Sequence, residues 1–372
     1  MKNRRAAWIA AGLTLGLTLA TASKSNTVVT SPASAYTGKN YTWQGDSNLF
    51  LVRQAAGAIR KPINFSNQTE VLEPWRVKYG NITAGQFGPG LPFEGMNSAG
   101  LTIHALWTGA SETEEKSAEQ ARPSLSEFEW IQYHLDCFPD VASIIATLEE
   151  VRDITPRSWP HDVLKQKVYS QRKFRLDRIF AQVHFFVSDA SQRCAVFDWI
   201  DSEQVVTVIE NHPSCVQVLG ASTYASTLQR FNFHYLDSPT LRLANQRRSR
   251  GSWSPSEMFE LLDYGKTKST VWQSVALQDQ GVLIFRHIST GRTHRVSIPT
   301  QGLKSSAPSQ GRPDTLWLAY KREPGGNEYV VESEWSTDSL ERHKKALESA
   351  LSTRSLELLG PVLLKKLRAS WD

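Results

Sequence analysis

Cysteine is scarce in this chain: Cys137, Cys194 and Cys215 are three thiols in 372 residues. An odd count without C-x-x-C spacing excludes a disulfide-built scaffold and a cysteine zinc site. In an exported chain Cys194 could pair with Cys215, or all three could be buried thiols; the sequence leaves both open. The nine histidines form no H-E-x-x-H or other paired spacing, so no metal is expected. No cofactor motif stands either. Gly265-Lys266-Thr267 resembles the end of a phosphate loop, but Glu260 occupies the place of its first glycine. Ser170 and Lys173 have S-x-x-K spacing without the accompanying S-D-N or K-T-G, which leaves a basic turn. Beyond the N-terminus no apolar run approaches the ~18 residues that a membrane span needs.

What the N-terminus does hold reads as an export signal. Lys2, Arg4 and Arg5 precede an apolar run from Ala6 to about Leu19, closed by Ala20-Thr21-Ala22. The expectation is a signal over 1–22, with cleavage exposing Ser23 and a periplasmic or secreted product. An uncut leader would act as a single anchor; a cut one leaves no stable membrane insertion. Removal of the three signal cations lowers the formal charge from +5 to about +2, so no nucleic-acid footprint is expected. A serine at a new N-terminus brings a hydroxyl and an α-amine that can act as its base.

The remaining ~350 residues suffice for one large domain or two ordinary ones. Strand patterns occur at Leu49–Arg53, Arg76–Ile82, Leu101–Trp107, Gln182–Val187, Ala195–Ile200, Val205–Ile209, Val216–Leu219, Val271–Leu277, Val282–Ile288 and His294–Ile298. Ser126–Glu129 reads as a capping box before a helix with Ile131, Leu135 and Phe138 on one face. A second helix is predicted from Asp140 to Asp153, and a third opening at Ser254-Pro255-Ser256-Glu257. Residues 155–176 read as basic and irregular, 300–314 as loop, and the C-terminal stretch as helical. Runs of strands separated by helices point to an α+β fold of antiparallel sheets under helices. Asn40, Asn64, Asn67 and Asn81 each open a sequon.

Several segments resemble one family in order. Glu94-Gly95-Met96-Asn97-Ser98-Ala99-Gly100-Leu101 resembles the D-G-M-N-E-x-G-L segment of the choloylglycine hydrolase and penicillin V acylase family. Gly38-Lys39-Asn40-Tyr41-Thr42-Trp43 resembles its G-R-N-M/Y-D-W segment. Leu125–Leu135, Val187–Ala190, Leu219–Leu228 and Ser238–Leu243 are similar to later motifs. In the family the N-terminal cysteine stands 16 residues before an arginine and 19 before an aspartate, and Ser23 stands at those distances from Lys39 and Thr42.

The resemblance implies a four-layered αββα sandwich of the N-terminal-nucleophile type over 23–335, with 336–372 a C-terminal helical extension. It implies hydrolysis of a linear amide of a small acylated substrate through an acyl-enzyme. Many relatives are homotetramers, so a homo-oligomer fits as a further expectation. Ser23 takes the nucleophile's place, Lys39 the arginine's, and Arg242 that of the late arginine. Trp107 and Asn97 fall where the substrate is held. Four catalytic positions depart from the family pattern: Ser23 replaces the cysteine, Lys39 the arginine, Thr42 the aspartate that orients the amine, and Ala221 the oxyanion asparagine. A catalytically impaired homologue that binds an acylated ligand, or has a structural role, is the alternative.

Overall fold

The structure, a computed structural model, describes residues 26–31, 34–42, 49–60, 74–85, 92–107, 127–147, 161–166, 183–200, 203–209, 217–232, 239–248, 253–298, 314–322 and 328–334. Valine, threonine and aromatic side chains alternate along most of its strands, the pattern a pleated half-buried surface selects. The strands are β1 (Thr27–Thr30), β2 (Tyr36–Thr42), β3 (Leu49–Gln54), β4 (Ile59–Arg60), β5 (Trp75–Arg76), β6 (Asn81–Gly85), β7 (Glu94–Asn97), β8 (Thr102–Trp107), β9 (His161–Gln166), β10 (Val183–Ser188), β11 (Cys194–Ile200), β12 (Glu203–Ile209), β13 (Val218–Leu219), β14 (Thr270–Leu277), β15 (Val282–His287), β16 (Thr293–Ser297), β17 (Asp314–Arg322) and β18 (Glu328–Glu334). The helices are α1 (Glu127–Cys137), α2 (Val141–Ala146), α3 (Tyr224–Asn232), α4 (Pro239–Arg248) and α5 (Pro255–Gly265).

Two antiparallel sheets carry the fold, in the orders β13-β1-β2-β14-β15-β16 and β18-β17-β3-β6-β7-β8-β10-β11-β12-β9. β4 and β5 form a separate hairpin. Helix α1 lies on β6, β7 and β8, whereas α4 and α5 lie on β1, β2, β13 and β14. The expected α+β sandwich of four layers, αββα, is therefore the observed architecture.

Alternation along each strand divides its side chains between the two faces. Tyr41, Trp272, Ala276, Leu283 and Phe285 of the smaller sheet meet Leu49, Leu51, Ile82, Ala84 and Met96 of the larger one in the central layer. On the outer face of the larger sheet Trp130 of α1 stacks on Phe185 at 4.3 Å. Met258, Leu261 and Leu262 of α5 close the other outer layer against Val275 and Leu277.

Capping follows local chemistry. Ser254 and Glu257 form the reciprocal capping box that the sequence predicts. Asp140 caps α2, accepting from Ser143 N at 2.7 Å, and Asp189 Oδ2 accepts from Val141 N at 3.0 Å. That helix is shorter than predicted: Thr147 ends it, its hydroxyl donating to Ile144 O at 2.7 Å, and residues 148–160 lie outside the described residues. The capping box at Ser126 and the helical extension after 335 lie outside them as well.

Three expectations need correction. The strand predicted over Arg76–Ile82 is broken, because Lys78 N and Tyr79 N both donate to Asp136 O of α1 and β6 starts only at Asn81. Between β13 and β14 the described residues form three helices and not one, since α3 and α4 have polar sequences whose helical form comes from packing on β1, β13 and each other. The stretch read as irregular contains β9, paired with β12, and β17 and β18 extend the larger sheet through β3 beyond the last predicted strand.

Two sequons are internal. Asn40 Nδ2 donates to Thr27 Oγ1 and to Leu262 O, both at 2.9 Å. Asn81 Nδ2 donates to Asp136 Oδ1 at 2.7 Å. Both side chains are fully buried and closed to glycan transfer in the folded chain; Asn64 and Asn67 lie outside the described residues.

Candidate active site

β2 pairs with β1 on one side and β14 on the other, so its side chains alternate between the helix layer and the space between the sheets. Lys39 faces the inter-sheet space, directly paired with Val28 and Ser274. Its ammonium is fully buried, donates to Phe93 O at 3.0 Å and lies 3.9 Å from Glu94 Oε2. The ring of Tyr41 sits 5.4 Å below it, stacked on Trp272 at 3.9 Å.

Glu94 collects the charge-assisted bonds of this layer. Its Oε2 accepts from Ser274 Oγ at 2.6 Å and from His104 Nδ1 at 3.0 Å, and its Oε1 from Trp272 Nε1 at 3.3 Å. Burial by itself would raise the Glu94 carboxyl, but the Lys39 charge and the bonds from His104 and Ser274 outweigh it and lower it to about 2. Burial lowers Lys39 to about 8, against the opposing pull of Glu94. At neutral pH the pair is thus ionised, an ammonium and a carboxylate held between two sheets. Burial also lowers His104. Since the carboxylate can only accept, His104 Nδ1 carries the proton and Nε2 is a bare acceptor, buried and without a hydrogen-bond partner among the described residues.

The head of β1 lies at the end of this layer. Asn26, 2% exposed, precedes Thr27, and its Oδ1 accepts from Thr42 N at 2.6 Å. The Thr42 hydroxyl is 3.5 Å from that of Thr270. On the other side β1 pairs with β13, Val28 against Leu219, and the chain then runs through Gly220 and Ala221 into α3. Two buried groups hold that bend. His184 Nε2 lies 2.7 Å from Gly220 O and its Nδ1 2.7 Å from Asp198 Oδ1, and Asp198 Oδ2 accepts from Tyr224 N at 3.0 Å. Gly220 has no room for a side chain: a Cβ there would sit 1.9 Å from Thr240 Oγ1 and 3.0 Å from its Cβ. Gly220→Ala is expected to lower stability by about 1–3 kcal/mol through overpacking, and urea unfolding would measure it. Unchanged stability would mean that α4 yields freely.

The sequence-predicted residues separate into groups. Lys39 and Thr42 both lie on β2, but alternation turns Lys39 to the inter-sheet space and Thr42, beside Thr270, to the helix-layer side, while Ala221 follows β13 at the bend into α3. Trp107 ends β8, its backbone paired with Val183. Ser23 and Cys215 lie outside the described residues. Arg242 is not brought to Lys39: it is on the exposed side of α4, donating from Nε to Tyr264 O at 3.1 Å, in the outer helix layer across the smaller sheet. Asn97 is used by the fold. Its Nδ2 donates to Leu135 O at 2.9 Å and Phe138 O at 2.7 Å, and its Oδ1 accepts from Ala99 N at 3.0 Å and Leu101 N at 3.1 Å. It locks the β7–β8 turn onto α1 and has no amide atom left for a substrate. Sequence reasoning missed His104 and the His184–Asp198 pair. The one signal for His104 is a polar residue alternating into the inward face of an otherwise apolar strand.

The architecture is an αββα sandwich of two antiparallel sheets between helices. Within it, the structure of penicillin V acylase from Agrobacterium tumefaciens matches with a TM-score of 0.58 at 19% identity, over 79% of this chain and 91% of that one. A mutant of conjugated bile acid hydrolase from Clostridium perfringens matches with a TM-score of 0.53 at 12% identity, over 84% and 97%. In sequence the chain is 28% identical over 160 residues to penicillin V acylase of Pectobacterium atrosepticum, which covers 40% of this chain and 39% of that relative. No family model matches. The resemblance that the motifs carry is thus also found in the fold and in a curated relative.

Proposed function

We propose that this protein is an exported hydrolase that cleaves a linear amide bond of a small acylated substrate, with Ser23 as nucleophile once residues 1–22 are removed. The observation that carries the reading is Lys39: a buried cation, held by Glu94, on the inner face of β2, the strand that also carries Thr42. The names of the relatives, penicillin V acylase and conjugated bile acid hydrolase, support the substrate class.

In this mechanism the Ser23 α-amine, with an ordinary value near 7.7–8.0, takes the hydroxyl proton. The oxygen adds to the amide carbonyl carbon. The C–N bond then breaks as the amine product leaves with that proton, and water hydrolyses the acyl-enzyme. The Lys39 ammonium favours the negative charge that forms in the first step, and Trp107 is assigned to the acyl pocket.

The alternative is an impaired homologue that binds its ligand without turning it over. Two observations favour it: Ala221 has no amide, and Thr42 no carboxylate to orient the amine.

Mass spectrometry of the purified mature protein is expected to give Ser23 as first residue. Turnover of phenoxyacetyl amides, bile-salt conjugates or acyl-homoserine lactones is expected to fall about 10³-fold or more in Ser23→Ala. A different N-terminus, or a variant as active as the parent, leaves the binding reading in its place.

A further inference from the structure

We propose that the bend between β13 and α3 is latched by a proton: a His184 imidazolium bridges Gly220 O and the Asp198 carboxylate, and loss of that proton frees the bend. The device is independent of the acyl-transfer reading, since its groups lie on β10, β11, the bend and α3. Three observations carry it.

The hydrogen-bond geometry counts the protons. A backbone carbonyl oxygen can only accept, so the nitrogen 2.7 Å from Gly220 O, Nε2, carries a hydrogen. In a neutral ring Nδ1 would then be bare, its lone pair facing an Asp198 oxygen 2.7 Å away. Two acceptors do not approach so closely without a proton between them. Oδ2 of the same carboxyl accepts from Tyr224 N at 3.0 Å, which favours the carboxylate and leaves the proton on the ring. Ring and carboxyl are 0% and 3% exposed, so bulk water does not take the place of a lost partner.

The surroundings offer no other charge. His184 is paired with Leu106 of β8, and Asp198 with Val205 of β12. Thr240 of α4 packs on Gly220. Tyr224 of α3 and Cys194, near the other end of β11, are the titratable side chains of the same buried layer. Neither His184 nor Asp198 has a second ion pair among the described residues.

The bend depends on this pair. Among the described residues no backbone hydrogen bond reaches Gly220, Ala221 or Ser222. Gly220 O, where β13 ends, is tied to His184, and Tyr224 N, where α3 begins, is tied to Asp198. Both ends of the bend therefore hang on one His–Asp contact. Once the proton leaves, the ring cannot donate to both acceptors, and one 2.7 Å contact must break. The attachment is complete while the proton is bound and is lost as pH rises, the direction of a group that holds a proton in the fold.

The test uses the full chain. Nitrogen-15 spectra of the His184 ring are expected to show hydrogen on both nitrogens at neutral pH. Hydrogen exchange read by mass spectrometry then follows the bend from neutral to mildly alkaline pH. Exchange over 220–228, corrected for its intrinsic rate, is expected to rise relative to α5 by about tenfold or more, the loss of one hydrogen bond to a charged group. Asp198→Asn separates the proton from the contacts. Its NH2 donates to a bare Nδ1, Nε2 still donates to Gly220 O, and the amide oxygen still accepts from Tyr224 N, so every bond is made without the extra proton. The variant is expected to exchange slowly throughout. Lys39, lowered to about 8, titrates in the same span but is common to both proteins. A His184 ring with one protonated nitrogen at neutral pH overturns the inference. So does a bend whose corrected exchange depends on pH equally in parent and variant. The ring spectrum is read on the parent and decides the point even where the variant folds poorly.

Discussion

Glu94→Ala is expected to lower the free energy of unfolding by about 3–5 kcal/mol, the range seen when one partner of a buried ion pair is removed. The cause is what the carboxylate leaves behind. The Lys39 ammonium, fully buried, would keep only Phe93 O, and Ser274 Oγ, Trp272 Nε1 and His104 Nδ1 would each lose an acceptor within the central layer. Desolvated donors without partners are costly one by one. A double variant, Glu94→Leu with Lys39→Met, is expected to recover much of the loss, because two apolar side chains need no compensation. Urea unfolding of the three proteins would decide it. A single variant within 1 kcal/mol of the parent would show that the network relaxes onto water, and that Glu94 does not hold Lys39 in place.

The second large effect is the dependence of stability on pH. Glu94 is lowered from 4.5 to about 2. Between these values the unfolded chain takes up a proton that the folded chain does not, so stability present above pH 4.5 is lost as pH falls toward 2. His134 is buried on α1, its Nδ1 2.7 Å from Trp130 O, and burial lowers it from 6.5 to about 4. Its neutral ring stabilises the fold above pH 6.5, and that contribution is lost as pH falls through 4; His104 acts in the same direction. Lys39, lowered from 10.5 to about 8, makes stability rise as pH goes from 8 to 10.5, since there the unfolded chain binds the extra proton. All four groups tilt the curve one way. Thermal midpoints followed by circular dichroism should be clearly lower at pH 4 than at pH 7, the underlying loss of stability being on the order of 3 kcal/mol for a single group with a shift of this size. The decline below pH 4.5 should be shallower in Glu94→Gln. A midpoint at pH 4 equal to that at pH 7 would contradict the burial of these groups.

These effects meet at a cluster of which the sequence shows only separate parts. Lys39 is visible because it falls 16 residues after Ser23 in a segment similar to a known motif, and Glu94 because it opens another. Their contact is not visible: 55 positions along the chain separate the two, and the packing of two sheets closes that gap. Asn97 shows the converse. The motif suggests a substrate contact, yet each amide atom is committed to the β7–β8 turn and α1. Arg242 matches a motif by order, but helix α4 turns it to the outer surface.

By itself the sequence determined the elements whose physics is local. Period-two alternation marked most strands, the Ser254 capping box marked α5, and the order of motifs indicated an αββα sandwich. The tertiary structure decided what depends on distant partners. It made helices of two polar segments by seating them on a sheet, broke a strand where Asp136 O captures two amides, added β9, β17 and β18 at sheet edges, and assembled Lys39, Glu94, His104 and Ser274 into one buried charge cluster. Side-chain alternation is written in consecutive residues. Strand neighbours and the burial of a charge are set by which surfaces meet when the sheets close, and a single chain's order does not state that.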